Sequence, residues 1–422
     1  MSDIAECIIT KTKKVRYNRL KMNIHCIGIG GIGLSGLAQV LGAQGHRVQG
    51  SDRESGKVFP LLRKRGIKVY AKHDSKLVAR GDIDLVIYSL AIPGDHREVK
   101  EARKRKIRIL SYPQALGELT SLYKTIAVAG THGKTTTTAM LAKILIDAGV
   151  DPTVIVGSTV PELGNSNCRV GKSDMLVVEA CEYQKGFLNL HPFGVILTTT
   201  DYDHFDTYPT RASYVAVFKK FIKKITRGGF LIKGSSVDGK IKLGIPGIHN
   251  RKNATLALRA AVKLGVPQKK ALKSLLEYRG SGRRFEYKYS KSGVRFYDDY
   301  AHHPTEIRAT LEAAREIFPK KKICVIYQPH QYSRTRKILK ELGSAFDKAD
   351  MVIVPNIYEA RDSAADKKAV SAQDVVAEIN KHRKHSALFG AGLDNTRKGI
   401  GKYYKLYDVI ITMGAGDVWK VL

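Results

Sequence analysis

Cysteine is scarce in this sequence and is not arranged for cross-linking or for metal binding. The 422 residues include five cysteines, which are scattered along the chain at Cys7, Cys26, Cys168, Cys181 and Cys324. None of them form the closely spaced pairs of a zinc site, and a sparse, odd-numbered set is not a disulfide framework. The pattern is typical of reduced thiols and predicts a cytoplasmic protein.

Long apolar runs, internal repeats and low-complexity tracts are also absent. A membrane-spanning helix needs about 20 consecutive, mostly apolar residues, and no stretch of this chain provides them. The opening residues, MSDIAECIITKTKKVRYNRLKMNIHC, have no apolar segment behind their charges, which predicts that there is no signal peptide. We therefore expect no interaction with a membrane.

Acidic residues are few compared with basic ones. The chain has 72 Lys and Arg against 39 Asp and Glu, a formal net charge of +33. The net charge is +12 over residues 1–119, +14 over 120–290 and +7 over 291–422. Because a nucleic-acid site would concentrate this charge, the even spread favours a generally basic surface and no specific nucleic-acid partner. A nucleic-acid-binding ATPase is kept as a competing hypothesis.

Strands and helices alternate in three segments of the chain. Each segment opens with an apolar run that ends in glycine or polar residues, followed by apolar residues at helical spacing. This alternation predicts an α/β protein whose sheets are largely parallel and carry helices on both faces. We predict a Rossmann-like N-terminal domain, a central P-loop ATPase domain and a Rossmann-like C-terminal domain, over residues 1–119, 120–290 and 291–422.

The first segment contains the pattern GIGGIG between a strand and a helix. Gly28, Gly30 and Gly33 have the spacing of a dinucleotide-binding turn, and Asp52 follows where a ribose-binding acid is expected. A diphosphate would rest on backbone N–H groups at the start of the helix. The glycines do not distinguish NAD from a UDP-sugar, and a tight turn without a ligand has the same pattern.

The second segment contains GTHGKT, a shortened phosphate-binding loop. The usual loop has four residues between its first glycine and the Gly-Lys pair, whereas here two residues separate Gly130 from Gly133. Backbone N–H groups would surround the phosphates, Lys134 would neutralise the outer ones, and the Thr135 hydroxyl would bind Mg²⁺. The loop therefore predicts an ATP site.

Polar residues end two further strands of the central segment. Glu179 ends the apolar run MLVVE, and Asp203 and His204 follow the next strand. Tips of neighbouring parallel strands converge on one crevice, so Glu179 and His204 are expected to share the metal region with Thr135. The alternatives are a surface carboxylate and a hydrogen-bonded loop histidine.

The third segment has two polar groups at strand tips, DDYAHHPTE (298–306) and QPHQYSRTR (328–336). Arg334 suits a carboxylate because a guanidinium binds both of its oxygens. The histidines of these stretches, His302, His303 and His330, suit an amine near neutral pH. The alternative is a set of capping and surface residues.

Taken together, these motifs resemble the Mur ligases. The likeness covers nearly the whole chain in order and is carried by GIGGIGLSGLA, AGTHGKTTTT, VVEACEY, DHFDTY, GIHNRKN, GSGRRFE, DDYAHHPTE, QPHQYSRT and MGAGDV. The short glycine loop is the form that this family uses. QPH and YSRT favour the alanine-adding members, and the murein-recycling relatives are kept as an alternative.

The resemblance implies a ligase of peptidoglycan synthesis, the process behind cell wall biogenesis, cell shape and cell division. ATP would phosphorylate the muramate carboxylate of UDP-N-acetylmuramate, and the amine of L-alanine would attack the acyl phosphate. The implied cofactors are ATP and Mg²⁺. The implied partners are these small molecules, with a monomer or a homodimer as the acting species.

The resemblance also implies the members of each site. The UDP-sugar site comprises Gly28, Gly30, Gly31, Gly33, Ser51, Asp52, His73 and Ser89. The ATP site comprises Gly130, Thr131, His132, Gly133, Lys134, Thr135, Thr136, His249, Asn250, Asn253 and Arg284. The metal ligands are Thr135, Glu179 and His204, and the amino-acid pocket is Tyr300, His302, His330 and Arg334. The catalytic residues are Lys134, Glu179, His204, His302, His330 and Arg334.

Three features depart from the pattern of the family. Gln331 stands where an Arg is common, and TTTDYDH has Thr199 and Asp201 where Asn and Glu are usual. The chain between His204 and His249 is short, which predicts that a peripheral strand or hairpin of the central domain is absent. A nicotinamide-dependent dehydrogenase, the remaining alternative, leaves GTHGKT and QPHQYSRT unexplained.

Overall fold

Three sheets organise the computed structural model, which describes residues 21–53, 55–56, 58–234 and 236–422. Cys7 and residues 1–20 of the opening stretch assessed for a signal peptide lie outside the described residues. The prediction of an α/β fold with largely parallel sheets and flanking helices is confirmed. Within the described ranges, no helix combines the length and apolar character that crossing a membrane requires.

The N-terminal sheet is entirely parallel and has the order β3-β2-β1-β4-β5. Its strands are β1 (Asn23–Ile27), β2 (Arg47–Ser51), β3 (Lys68–Tyr70), β4 (Leu85–Tyr88) and β5 (Arg108–Ser111). Its helices are α1 (Ile32–Ala43), α2 (Phe59–Lys64), α3 (Lys76–Ala79), α4 (Arg97–Lys104) and α5 (Tyr112–Thr120). The strand order reverses at β1, and the crevice beyond the strand tips at such a point is the usual ligand position in this architecture.

The middle sheet has the order β11-β10-β6-β9-β7-β8, and only the β7–β8 pair is antiparallel. Its strands are β6 (Lys124–Ala129), β7 (Thr153–Val160), β8 (Ser166–Arg169), β9 (Met175–Glu179), β10 (Gly194–Leu197) and β11 (Phe230–Lys233). The helices of this region are α6 (Lys134–Asp147), α7 (Arg211–Ile222), α8 (Ile248–Lys263) and α9 (Gln268–Leu276), with 3₁₀ turns at Pro161–Leu163 and Tyr183–Asn189. Leu176, Val177 and Val178 of β9 are fully buried, as expected for a strand covered on both faces.

The C-terminal sheet has the order β12-β13-β17-β14-β15-β16, with an antiparallel hairpin at the β12 edge. Its strands are β12 (Glu286–Lys291), β13 (Val294–Asp299), β14 (Ile323–Tyr327), β15 (Met351–Val354), β16 (Ala387–Phe389) and β17 (Val409–Met413). Its helices are α10 (Pro304–Ile317), α11 (Tyr332–Gly343), α12 (Ala364–Ala369), α13 (Ala372–His382) and α14 (Leu393–Gly399), with 3₁₀ turns at Ile400–Tyr403 and Val418–Val421.

The chain forms two compact units. One contains the described residues up to Lys242 together with Asn253–Tyr278, and the other contains Leu243–Lys252 and Arg279–Leu422. The first unit therefore includes the N-terminal and middle sheets, and the second includes the C-terminal sheet. The three predicted domain ranges stay a prediction.

Candidate active site

The loop after β6 has the backbone of a phosphate-binding turn. Gly130 and Gly133 have φ angles of +131° and +78°, which residues with side chains rarely adopt. A Cβ atom on Gly130 would lie 2.1 Å from Thr198 Oγ1, and one on Gly133 would lie 2.3 Å from Asn253 Oδ1. Both backbone shape and packing therefore require glycine here. Helix α6 begins directly after Gly133 and directs its first N–H groups toward the loop.

The turn that follows β10 holds this loop in place. The N–H groups of Thr131 and His132 donate to Thr199 O at 2.9 Å and to Thr199 Oγ1 at 3.0 Å. Thr198 Oγ1 donates in return to His132 O at 2.6 Å, and His132 Nε2 lies 3.4 Å from Asp201 Oδ2. Thr199 and Asp201, which depart from the family pattern, thus both contact the loop.

Lys134 is the first residue of α6, and its ammonium group is held within the loop. Its Nζ donates to Gly130 O at 2.5 Å and to Thr131 O at 3.0 Å, and it lies 3.0 Å from Glu182 Oε2. Burial alone would lower the pKa of Lys134, but the Glu182 carboxylate outweighs that effect and raises it above its ordinary value. Against the opposing effect of burial, the same ion pair holds the pKa of Glu182 below its usual range.

Glu182 is a site residue that the sequence analysis missed. Its side chain is 1% exposed. Besides Lys134, its carboxylate accepts a hydrogen bond from Tyr214 Oη at 3.2 Å, and His204 Nε2 lies 3.4 Å from Oε1. The available signal is its position in VVEACEY, just beyond the strand tip that Glu179 occupies. The structure therefore makes Glu182 the centre of the charged cluster beside the loop.

Glu179 and Thr135 are joined directly. Thr135 Oγ1 donates to Glu179 Oε2 at 2.9 Å, and the N–H of Gly157 donates to the same oxygen at 2.8 Å. A hydroxyl beside a carboxylate is an oxygen donor set of the type that Mg²⁺ prefers. His204, the third predicted ligand, contacts Glu182 instead. In the part of the chain that the structure describes, no group of three or more His, Cys, Asp or Glu side chains is arranged as a metal site.

The glycine turn after β1 is held by β2. The N–H of Gly28, whose φ is +82°, donates to Ser51 O at 2.8 Å. The N–H of Gly30 donates to Asp52 Oδ2 at 2.7 Å, so the predicted ribose-binding acid is here a partner of the loop backbone. A Cβ on Gly33 would lie 2.8 Å from the Tyr112 ring, which fixes glycine there as well.

The other predicted members of this site lie around the same turn. The N–H of Gly31 donates to Gly28 O at 3.1 Å, and Ser89 Cβ would lie 3.0 Å from a Cβ on Gly28. Ser51 Oγ lies 3.0 Å from His73 Nδ1. The structure therefore brings together the glycines, Ser51, Asp52, His73 and Ser89.

Glu98, at the start of α4, lies under these residues and was also missed. It is fully buried and accepts hydrogen bonds from Ser51 Oγ at 2.6 Å and from the N–H of Asp74 at 2.8 Å. His25 Nε2 and His73 Nδ1 lie 2.9 Å and 3.3 Å from its oxygens. Burial alone would raise the pKa of Glu98, but the contacts with His25 and Ser51 outweigh it and lower that pKa. Its surroundings in the sequence, REVKEARK, indicate only a charged helix.

Aromatic and guanidinium groups meet at the tip of β13 in the second unit. The guanidinium carbons of Arg283 and Arg284 each lie 5.1 Å from the centre of the Tyr300 ring. Asp299 accepts from the N–H of Ala301 at 2.6 Å, and burial raises its pKa to about 6 even though Arg284 is nearby. Asp299 lies within the stretch DDYAHHPTE, but the sequence does not indicate a role for it.

The four residues predicted for the amino-acid pocket form a continuous chain of contacts. The Tyr300 and His302 rings are 5.6 Å apart, and the His302 and His330 rings are 6.2 Å apart. Arg334 Nη1 lies 3.3 Å from His330 Nδ1. Since a guanidinium only donates, His330 Nδ1 is the acceptor, and in the neutral ring the proton is on Nε2. His330 also stacks on Tyr358.

Gln331, which stands beside this pocket where an Arg is common in the family, has a structural role. Its side chain is buried and donates from Nε2 to Ala360 O at 2.9 Å, and its N–H donates to Tyr358 O at 2.9 Å. It adopts a φ of +70°, which is unusual for a residue with a side chain. Gln331 therefore fixes the turn that carries Tyr358.

The remaining residues predicted for the ATP site are divided between the units. Asn253 belongs to the first unit and packs on Gly133, whereas His249, Asn250 and Arg284 belong to the second. Burial lowers the pKa of His249 to about 4, so this ring is neutral at neutral pH. Asn250 Nδ2 donates to Pro246 O at 2.6 Å.

Comparison with known proteins identifies the family. Models of the Mur ligase catalytic, middle and glutamate ligase domains match residues 23–124, 128–237 and 283–416. A UDP-N-acetylmuramate–L-alanine ligase of Clostridium acetobutylicum is 34% identical, with 96% of this chain and 97% of that protein covered. The chain belongs to the Mur ligase family. A protein of the same name from Aquifex aeolicus is 35% identical over 94% of this chain and 95% of its own length.

Solved structures of Mur ligases share the fold. A UDP-N-acetylmuramate-alanine ligase from Thermotoga maritima superimposes with a TM-score of 0.78 at 26% identity, covering 95% of this chain and 97% of that one. A murein peptide ligase from Psychrobacter arcticus has a TM-score of 0.72 at 23% identity, with the same coverage of 95% and 97%. The three-domain Mur ligase architecture expected from the sequence is therefore confirmed.

The buried pair of Lys134 and Glu182 leads to a prediction about stability. Lys134→Ala leaves a buried carboxylate without its cation, which should lower the free energy of unfolding by about 3–5 kcal/mol. Lys134→Ala combined with Glu182→Gln should recover most of that loss, because no buried charge remains. Chemical denaturation of the purified variants measures both.

Lys143→Ala is the matched control, because Lys143 lies on the same helix but pairs with the more exposed Asp147. It should change stability by less than about 1 kcal/mol. Equal destabilisation by Lys134→Ala and by the double variant would contradict the assignment of a buried ion pair.

Proposed function

We propose that this protein is an ATP-dependent ligase that joins L-alanine to the muramate carboxylate of UDP-N-acetylmuramate, a step of peptidoglycan precursor synthesis. The observation that carries the proposal is the similarity, over nearly the full length, to relatives named UDP-N-acetylmuramate–L-alanine ligase. The three clusters of polar residues agree with it, since the reaction needs sites for ATP, a sugar nucleotide and an amino acid.

The ATP phosphates are assigned to the loop from Gly130 to Thr136. Lys134 would exchange the loop carbonyls Gly130 O and Thr131 O for phosphate oxygens, because a fixed ammonium stabilises charge where the phosphoryl group transfers. Asn253 packs on this loop and is assigned to the same site. His249, Asn250 and Arg284 are assigned to the nucleoside side.

Mg²⁺ is assigned to Thr135 and Glu179, whose oxygens are already in contact at 2.9 Å. Mg²⁺ bound there would neutralise charge on the phosphates. His204, through its contact with Glu182, is assigned to the outer part of the same region. Glu182 holds Lys134 in place.

The reaction has two steps. A carboxylate oxygen of the muramate attacks the γ-phosphorus of ATP, the bond from that phosphorus to the ADP oxygen breaks, and an acyl phosphate and ADP form. The neutral amine of L-alanine then attacks the acyl carbon, the carbon–oxygen bond to phosphate breaks, and the amine gives up a proton as the amide forms. Catalysis by the chain consists mainly of positioning and of stabilising charge on the phosphates.

The pocket of Tyr300, His302, His330 and Arg334 is assigned to L-alanine. Arg334 would bind the carboxylate with two parallel hydrogen bonds. His302 and His330 would frame the amine. His302 is the candidate acceptor of its proton at Nε2, because His302 Nδ1 donates to Tyr300 O at 3.1 Å, whereas the acceptor nitrogen of His330 already receives the Arg334 N–H. A cytoplasmic location and a monomeric or homodimeric state stay predictions.

The proposal predicts that ATP turnover depends on both partners. Phosphate release should require UDP-N-acetylmuramate and L-alanine together, because the acyl phosphate forms on the first and is consumed by the second. A phosphate-release assay that omits each in turn tests this. The Lys134→Ala/Glu182→Gln variant serves as a folded control whose turnover should fall by about a thousandfold.

Equal phosphate release without the sugar nucleotide would contradict the proposed function. A strong preference for the tripeptide that murein-recycling ligases use over L-alanine would reassign the protein to that branch of the family.

The amino-acid pocket makes a second prediction. Arg334→Ala should raise the KM for L-alanine steeply, with kcat/KM falling by about 30- to 1000-fold, since a charge-assisted bidentate contact is lost. Binding of ATP and of UDP-N-acetylmuramate should change little. Steady-state kinetics with alanine as the varied substrate give the result.

Arg336→Ala is the control for this test, because Arg336 is an exposed arginine of the same helix. If Arg334→Ala abolishes nucleotide binding and leaves the KM for alanine unchanged, Arg334 belongs to the ATP site.

A further inference from the structure

Glu98 is a buried carboxylate that lies below the sugar-nucleotide site and has no assigned role. It is 0% exposed, and four groups converge on it: Ser51 Oγ, the N–H of Asp74, His25 Nε2 and His73 Nδ1. Burying a carboxylate is unfavourable unless its lone pairs are satisfied. Here the compensating contacts come from four separate positions of the chain, so the carboxylate connects these four positions to one another.

The contact with Ser51 connects Glu98 to the glycine turn. The hydroxyl of Ser51 donates to Glu98 Oε2 at 2.6 Å, while its carbonyl accepts the N–H groups of Gly28 and Ile29 at 2.8 Å and 3.1 Å. One residue is thereby held on one side by the buried carboxylate and on the other by the turn that would receive the diphosphate. Loss of the carboxylate removes a restraint on that turn.

The contact between Glu98 and His73 fixes the orientation of the His73 ring. His73 Nδ1 lies 3.3 Å from Glu98 Oε1 and 3.0 Å from Ser51 Oγ, and its ring packs edge-on against His96 at 4.5 Å. His73 Nε2 is buried and has no hydrogen-bond partner among the described residues. With the Nδ1 proton donated to Glu98, Nε2 accepts, and a ligand hydroxyl or N–H is the partner that would satisfy it.

We propose that Glu98 is a positioning residue of the sugar-nucleotide site, which fixes Ser51 and His73 for the UDP part of the substrate without touching it. This inference rests on the function proposed above, because it takes the turn after β1 as the place where UDP-N-acetylmuramate binds. A purely structural role for Glu98 would predict a loss of stability but no effect that depends on Ser51 and His73.

The test measures the affinity for UDP-N-acetylmuramate by calorimetry in the full-length protein. Glu98→Gln keeps the volume of the side chain but loses one acceptor oxygen and the charge, and it should raise the Kd by about 10- to 100-fold. Glu101→Gln is the matched control, since Glu101 lies on the same helix and pairs with the exposed Arg105, and its Kd should equal that of the wild type. The Kd for a non-hydrolysable ATP analogue should be unchanged in both.

The decisive comparison repeats Glu98→Gln in the Ser51→Ala/His73→Ala background. In that background, Glu98→Gln should change the Kd for UDP-N-acetylmuramate by less than about threefold. The reason is that the Ser51 hydroxyl and the His73 ring, through which Glu98 acts, are gone. An undiminished effect in that background would overturn the inference, as would wild-type affinity in Glu98→Gln. Equal weakening of the ATP analogue by Glu98→Gln would also overturn it, since that indicates general destabilisation. A wild-type protein that binds no UDP-N-acetylmuramate would overturn the proposed function itself, and the inference with it.

Discussion

The buried ion pair between Lys134 and Glu182 is the interaction on which the middle site depends. An ammonium group at the first position of a helix is electrostatically unfavourable, because the helix dipole is positive there. Burial adds a further cost. Glu182 offsets both at an N–O distance of 3.0 Å, and loop carbonyls accept the other protons. The lysine is thus charged and positioned before any phosphate arrives, which is what preorganised stabilisation of a transferring phosphoryl group requires.

The same device recurs at the N-terminal sheet. Glu98 lies beneath the turn after β1, and Glu182 lies beside the loop after β6. Each is a buried carboxylate that receives hydrogen bonds or a cation from residues proposed to bind a ligand. Asp299, at the tip of β13, differs, because it accepts from the backbone N–H groups of Ala301 and Phe285. These buried carboxylates lie at specific positions beside the sites, whereas the net charge of +33 is spread over the whole chain.

The sequence was sufficient to predict the features that depend on local backbone conformation or on the spacing of residue types. Strand–helix alternation predicted the three sheets, and the positions of Gly130 and Gly133 predicted a turn that their positive φ angles bear out. The supporting carboxylates were not predictable in the same way. Glu98 lies in a stretch that looks like an exposed charged helix, and its burial depends on packing against residues far apart in the chain, such as His25. Likewise, the contact of His204 with Glu182 rather than with Glu179 depends on side-chain direction, which motif spacing does not encode.

The central claim is that the muramate carboxylate is activated by phosphorylation, and isotope transfer tests it most directly. UDP-N-acetylmuramate labelled with ¹⁸O in that carboxylate is incubated with the protein, ATP and L-alanine, and the products are analysed by mass spectrometry. An acyl phosphate intermediate predicts one ¹⁸O atom in each released inorganic phosphate, together with ADP. Label found in AMP, or phosphate free of ¹⁸O while the amide forms, would contradict the account.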